Sequence, residues 1–287
     1  MYHTIEGDKM KIGIVGLGLI GGSYARALLP YKYDIYGIDI NQESLDFALS
    51  QGIIKEGYQN PKDILSELDV VFICLYPSKV KAFFQKYIMD FKEGAVLSDV
   101  GGIKRKIIDA YELYARDDID FIAAHPIAGK EKQGVQYSDA SIFHNANFII
   151  TKTPHNKEEN INLITTLAKQ MGFGRVTMMS DKDHDDAISY TSQLTHVLAI
   201  ALINSDQENS MTKTIIGDSF RDLTRIANMN DQLWSELFLT NKHFLLHSIE
   251  EFEKSLSLIK ESIKKEEQES LQEYMKKATK RRRLLDE

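Results

Sequence analysis

This 287-residue chain is short of several things that would point elsewhere. Cysteine occurs once, as Cys74. That excludes an intrachain disulfide and a multi-cysteine metal centre, so no metal is expected, and it fits a reducing compartment, the cytoplasm. No apolar run approaches the roughly 18 residues needed to cross a bilayer, so no membrane segment is expected. Positive charge is not in excess: 35 Lys and Arg face 42 Asp and Glu, a net −7, whereas a general nucleic-acid binder leans the other way. The opening MYHTIEGDK is polar and runs straight into a strand, so no secretory leader is expected. With 43% hydrophobic and 27% charged residues, the composition is that of a globular protein.

Proline and glycine are scarce in one part of the chain only. All five prolines lie at or before Pro154, and of seventeen glycines only Gly217 follows Gly174. The first part is therefore expected to change direction often, and the second to sustain long helices. Short apolar runs punctuate the first part at 11–16, 33–39, 70–76, 94–99, 120–126 and 146–151, with helix-like stretches between them. A helix around 158–171 and a strand at 174–179 finish it. Runs of this kind bounded by turns predict a buried, mostly parallel, doubly wound sheet of Rossmann-like type over residues 1–179. From 180 to 287 the pattern predicts an all-α domain. The stretch 187–205 reads as one long helix, apolar on more than one side, of the sort buried in a bundle or an oligomer interface. The basic run from Lys276 to Arg283 reads as a solvated face near a helix C-terminus, where the dipole favours cations.

The first strand runs into Gly16-Leu17-Gly18-Leu19-Ile20-Gly21. This G-x-G-x-x-G stands after a strand and before a helix, where Gly16 permits the tight turn and Gly18 lets backbone approach a pyrophosphate. Gly21 lets the helix pack closely on the strand, and the helix N-terminus, with Leu19 and Ile20 in its first turn, offers N–H groups to the phosphates. Asp39 ends the second strand 18 residues after Gly21, placed to take hydrogen bonds from a ribose and to repel a 2′-phosphate. The expected cofactor is NAD rather than NADP. Tyr76 and Pro77, ending the next long strand, are expected to line the adenosine side of the cleft, though a proline that merely stops a strand has the same look.

Two further places bear chemistry. The run at 120–126 delivers His125 to the sheet's carboxyl edge, where ligands bind in such folds. The imidazole there is either a turn residue bonded to backbone or a base that takes the proton of an alcohol as hydride leaves. Arg221 and Arg225 are four apart and share a face if helical. They either grip a carboxylate, which suits the planar guanidinium fork, or form a surface ladder with Asp218 and Asp222. His196, within the apolar stretch, is either a core histidine or one pointing into a cleft.

Taken together, GLGLIGGS (16–23), SDVGGIK (98–104), AHPIAGKEKQG (124–134), TSQLTHVLAIAL (191–202) and GDSFRDLTRIA (217–227) make the chain resemble the prephenate/arogenate dehydrogenase family. The resemblance implies NAD-dependent oxidative decarboxylation of prephenate to 4-hydroxyphenylpyruvate, the precursor of tyrosine, with arogenate as the alternative substrate. It implies that His125 is the catalytic histidine and that Glu131 helps order the active site and its access. It further implies that Arg225 binds a substrate carboxylate, that His196 lies near the substrate side chain and that Arg221 is a basic position on the same helix. The helical domain is expected to pair two chains into a homodimer, and neither an appended regulatory domain nor a fused mutase is expected. Two positions depart from the pattern. Gly102 stands where many members have a serine, and Gln193 where many have a histidine. A β-hydroxyacid dehydrogenase would carry a lysine on the long helix, and 187–205 has none. A non-catalytic NAD-binding protein would leave His125 and Arg225 without a purpose.

Overall fold

A computed structural model describes residues 9–206 and 211–285; the polar lead-in at 1–8 lies outside the described residues. In chain order the elements are β1 (Lys11–Val15), α1 (Leu19–Leu28), β2 (Asp34–Ile38), α2 (Gln42–Ser50), β3 (Glu56–Tyr58), β4 (Val70–Ile73), α3 (Pro77–Tyr87), β5 (Val96–Asp99), α4 (Arg105–Glu112), β6 (Asp120–Ile127), β7 (Asn147–Thr151), α5 (Glu158–Gln170) and β8 (Arg175–Met179). The helical part follows as α6 (Asp181–Ile188), α7 (Leu194–Asn204), α8 (Thr212–Ile215), α9 (Asp218–Thr224), α10 (Asp231–Thr240), α11 (Lys242–Lys264) and α12 (Gln268–Arg283).

The eight strands form one sheet in the order β3-β2-β1-β4-β5-β6-β7-β8. Every neighbouring pair is parallel except β6–β7, which is antiparallel. The order reverses between β1 and β4, and such a switch point opens a crevice at the carboxyl ends of the strands. Burial follows the connectivity. Ile12, Ile14, Val70, Val71, Phe72, Leu97 and Ile122 are fully buried because helices cover both faces of a parallel sheet. This is the doubly wound fold expected from the alternating runs, followed by helices only.

Three local features differ from the sequence reading. Strand β3 is only three residues long, too short to show periodicity. The long apolar stretch lies in a helical run that begins at Asp181, as expected, where Ser180 caps it: its Oγ accepts from the Asp183 N–H at 3.0 Å. That stretch is not one uniform helix. A π-turn over Ser189–Gln193 joins α6 to α7, a rare feature that often marks a functional site. Strand β6 runs on through His125 to Ile127, with His125 paired to Ile149. Its pairing with β5 ends at Ile122. Beyond that point β6 has a ladder partner on one side only, which is where a strand tolerates Pro126.

The structure falls into two compact units that divide between Asn241 and Lys242. The second contains α11 and α12, and α12 buries none of its residues. Within the first, α7 buries only Leu194 and Ala199 along its length, and Leu202 and Ile203 stand exposed. No helix among the described residues is long and apolar enough to cross a membrane.

Candidate active site

The glycine turn sits at the switch point. Gly16 has φ +94°, and a Cβ there would meet the Cys74 carbonyl oxygen at 2.5 Å, so both conformation and space demand glycine. A Cβ on Gly21 would collide with the Gly16 carbonyl oxygen. Gly18, by contrast, has nothing within 4 Å of its Cβ position. It is the residue before α1, so open space lies in front of that helix's N-terminus, as a cradle for a pyrophosphate requires. Leu19 and Ile20 open α1 and are half-buried. Asp39 follows β2, and its carboxylate accepts from the N–H groups of Leu17 at 2.7 Å and Asn41 at 2.8 Å. That binds the acidic residue to the glycine turn itself. Pro77 is the first residue of α3, and the Tyr76 hydroxyl accepts from Asn230 Nδ2 at 2.7 Å. Glu236 of α10 takes both the Ser78 N–H and its hydroxyl, at 3.0 and 2.9 Å. The start of α3 is therefore held by α10.

His125 is not alone. Its Nδ1 lies 2.9 Å from Nε2 of His184, whose Nδ1 lies 2.8 Å from Asp185 Oδ1. The tautomers follow from this order. A carboxylate oxygen accepts, so His184 carries its proton on Nδ1 and its Nε2 is the acceptor. His125 must then donate from Nδ1, which leaves its Nε2 with a free lone pair. That nitrogen faces Gly102, whose Cβ position would lie 3.7 Å away. Asp185 is held in turn by the N–H groups of Lys104 at 2.8 Å and Arg105 at 3.1 Å. Burial and the neighbouring His184 and Lys104 push the His125 imidazole well below its usual range, so it is neutral at pH 7. Burial lowers His184 too, against the pull of Asp185.

Helix α10 connects this base to the remaining candidates. Leu237 closes over Gly102, at 3.3 Å from the Cβ position, and clusters with Ile103, Ile188, Leu233 and Trp234. One turn earlier, Trp234 stacks on His196 with ring centroids 3.5 Å apart. His196 Nδ1 donates to the Ser192 carbonyl at 2.8 Å, so its Nε2 is the free nitrogen. Burial lowers its pKa, and the charges of Glu131 and Arg225 reach it with opposite effects. Arg225 and Glu131 form a direct ion pair. Gly102 thus lies between His125 and Leu237, Trp234 stacks on His196, and the charge of Arg225 reaches that imidazole.

Arg221 takes the other course. It is 58% exposed and lies 3.6 Å from Asp218, as in the surface-ladder alternative. It does not share a regular helix face with Arg225, because α9 ends at Thr224 and a 3₁₀ turn begins at Arg225. Gln193 is fully buried, giving Nε2 to the Leu237 carbonyl at 3.1 Å and taking Asn241 Nδ2 at 2.9 Å. Both polar ends are engaged inside the protein, so Gln193 braces α10 and does not line a substrate pocket. Sequence reasoning missed His184, Asp185, Lys104 and Trp234. His184 and Asp185 fall where only helix was expected, and Lys104 stood in a quoted motif with no role.

The switch-point crevice, the glycine turn with its acidic partner and an unprotonated imidazole nitrogen nearby define an oxidoreductase of the dinucleotide-binding class. Comparison with known proteins narrows this. Residues 24–177 match the family profile described as the prephenate dehydrogenase nucleotide-binding domain, and residues 180–277 the prephenate dehydrogenase dimerization domain. The chain belongs to the prephenate dehydrogenase family. A prephenate dehydrogenase of Lactococcus lactis is 30% identical over 285 residues, covering 96% of this chain and 77% of the relative. A cyclohexadienyl dehydrogenase of Zymomonas mobilis is 28% identical, covering 96% and 95%. The crystal structure of prephenate dehydrogenase from A. aeolicus in complex with hydroxyphenyl propionate and NAD+ superposes with a TM-score of 0.87 at 32% identity, covering 98% and 99% of the two chains.

Proposed function

We propose that this protein is an NAD-dependent prephenate dehydrogenase, converting prephenate to 4-hydroxyphenylpyruvate with loss of carbon dioxide. The observation that carries the reading is the bare Nε2 of His125, left without a proton by the His184–Asp185 relay. The residues present fit the cofactor. The open space at Gly18, the N-terminus of α1 and the Asp39 carboxylate would hold its pyrophosphate and ribose, and Tyr76 and Pro77 would border its adenosine end. NAD, when bound, supplies the hydride acceptor.

The chain's own residues do the rest. His125 Nε2 accepts the proton of the ring hydroxyl, which drives electrons toward hydride loss. His184 and Asp185 hold the imidazole in the accepting tautomer and share the positive charge it gains. Loss of carbon dioxide from the opposite ring carbon makes the ring a phenol, so the reaction is strongly downhill and the protein mainly positions groups. Arg225 binds a substrate carboxylate and exchanges its Glu131 partner to do so, while His196, steadied by Trp234, lies beside the side chain. Arg221 stays a supporting basic residue on α9. Two chains pair through the helical domain, here taken as 180–287: the matched profile carries that description, and α7 presents Leu202 and Ile203 outward. Cytoplasmic location belongs to the same reading, since the reaction draws on the intracellular NAD pool.

The test is the absorbance of reduced nicotinamide after prephenate and NAD are added to purified protein, with arogenate assayed in parallel. Prephenate is expected to give the higher kcat/KM. Preference for arogenate would overturn the substrate assignment, and no turnover of either would overturn the function.

A further inference from the structure

Lys104 is a fully buried lysine. Burial pulls its pKa down, opposed by Asp99 beside it. Its Nζ donates to Asp99 Oδ2 and to the Ala124 carbonyl, both at 2.5 Å. Asp99 returns the grip: its Oδ1 accepts the Ala124 N–H at 3.0 Å, and its Oδ2 accepts the Gly101 N–H at 2.8 Å. Both backbone groups of the residue before His125 are thus pinned by one ion pair. At its other end, the Lys104 N–H holds Asp185 Oδ1 at 2.8 Å, the oxygen that orients His184.

A buried ion pair is a poor stabilising device, because desolvating two charges offsets their attraction, and apolar replacements often serve as well. This pair stands where placement matters more than stability. The chain passes from β5 through Gly101 and Gly102 to Lys104, and the two histidines come from β6 and α6, 59 residues apart. Lys104 contacts the supports of both. Resting on the prephenate dehydrogenase reading, we infer that Lys104 is a positioning residue for the reaction. Its side chain fixes the strand that carries His125, its backbone fixes the carboxylate that orients His184, and its charge helps keep the base unprotonated. The charged and titratable groups facing His125 are Lys104 itself, Asp99 at the end of β5, and His184 and Asp185 on α6. Of these, Lys104 and a protonated His184 oppose protonation, while the two carboxylates favour it.

Lys104→Met alone leaves Asp99 buried and unpaired, and that variant can fail to fold. Asp99→Asn combined with Lys104→Met removes both charges at nearly constant volume, and the asparagine carbonyl still takes the Ala124 N–H. For the double variant, with wild type measured alongside, NAD affinity and the KM for prephenate are expected to stay within about twofold. The kcat is expected to fall by about tenfold or more, the scale of losing optimal proton-transfer geometry. The acidic limb of kcat/KM is expected to move to higher pH, because of the two charges removed Lys104 acts more strongly on His125 than Asp99 does. A folded double variant with wild-type kcat and an unmoved acidic limb would overturn the inference and leave Lys104 purely structural. Absence of prephenate oxidation in the wild type itself would instead sink the functional reading on which the inference rests.

Discussion

His125→Asn is expected to lower kcat by about a hundredfold or more, the usual scale for losing a general base, with NAD affinity unchanged. Asparagine can still donate toward His184 but has no basic lone pair to offer the substrate hydroxyl. The relay His125–His184–Asp185 then ends in a group that cannot take a proton, and hydride loss would have to leave a protonated carbonyl behind. The pH profile supplies a second reading of the same residue. Because burial, with His184 and Lys104 beside it, holds His125 well below the ordinary imidazole range, the base form persists as pH falls. The acidic limb of wild-type kcat/KM is expected below the reference value of about 6.5. Near-wild-type turnover by the asparagine variant, measured by nicotinamide absorbance at saturating prephenate, would remove His125 from the chemistry.

Arg225→Ala is expected to raise the KM for prephenate by roughly 10- to 100-fold while leaving the KM for NAD within about twofold. A charge-assisted hydrogen bond is worth about 1.5–3 kcal/mol, close to that range in affinity. The ion pair with Glu131 pushes the effect toward the upper end. With the guanidinium gone, Glu131 faces the site uncompensated and repels a substrate that carries two carboxylates. Steady-state kinetics with each substrate varied in turn separates the two constants. An unaltered prephenate KM would place Arg225 outside the binding site.

What was legible in the sequence was whatever chemistry is local. The glycine turn announces itself because tight turn, close approach and helix packing all fall within six residues, Gly16 to Gly21. Asp39 could be counted from it. His125 stood at the end of a run whose placement at a sheet's carboxyl edge follows from the fold alone. The relay was not legible, since His184 lies 59 residues from His125 and no periodicity links a strand residue to a helix residue. DKDHDD is six polar residues in a row, yet it holds the buried His184 and Asp185. Lys104 misled for a related reason: lysine is expected at the surface, and only the three-dimensional approach of Asp99 makes its burial tolerable. Arg221 and Arg225 look equivalent at a spacing of four until the helix ends between them.

The central claim is that His125 presents an unprotonated Nε2 because His184 and Asp185 force its proton onto Nδ1. Long-range ¹⁵N–¹H NMR of histidine-labelled protein at pH 7, assigned by comparison with the His125→Asn variant, tests it directly. The account predicts that His125 is a neutral imidazole in the Nδ1–H form, its Nε2 resonating as a nitrogen without hydrogen. A neutral ring protonated on Nε2, or an imidazolium at that pH, would contradict it.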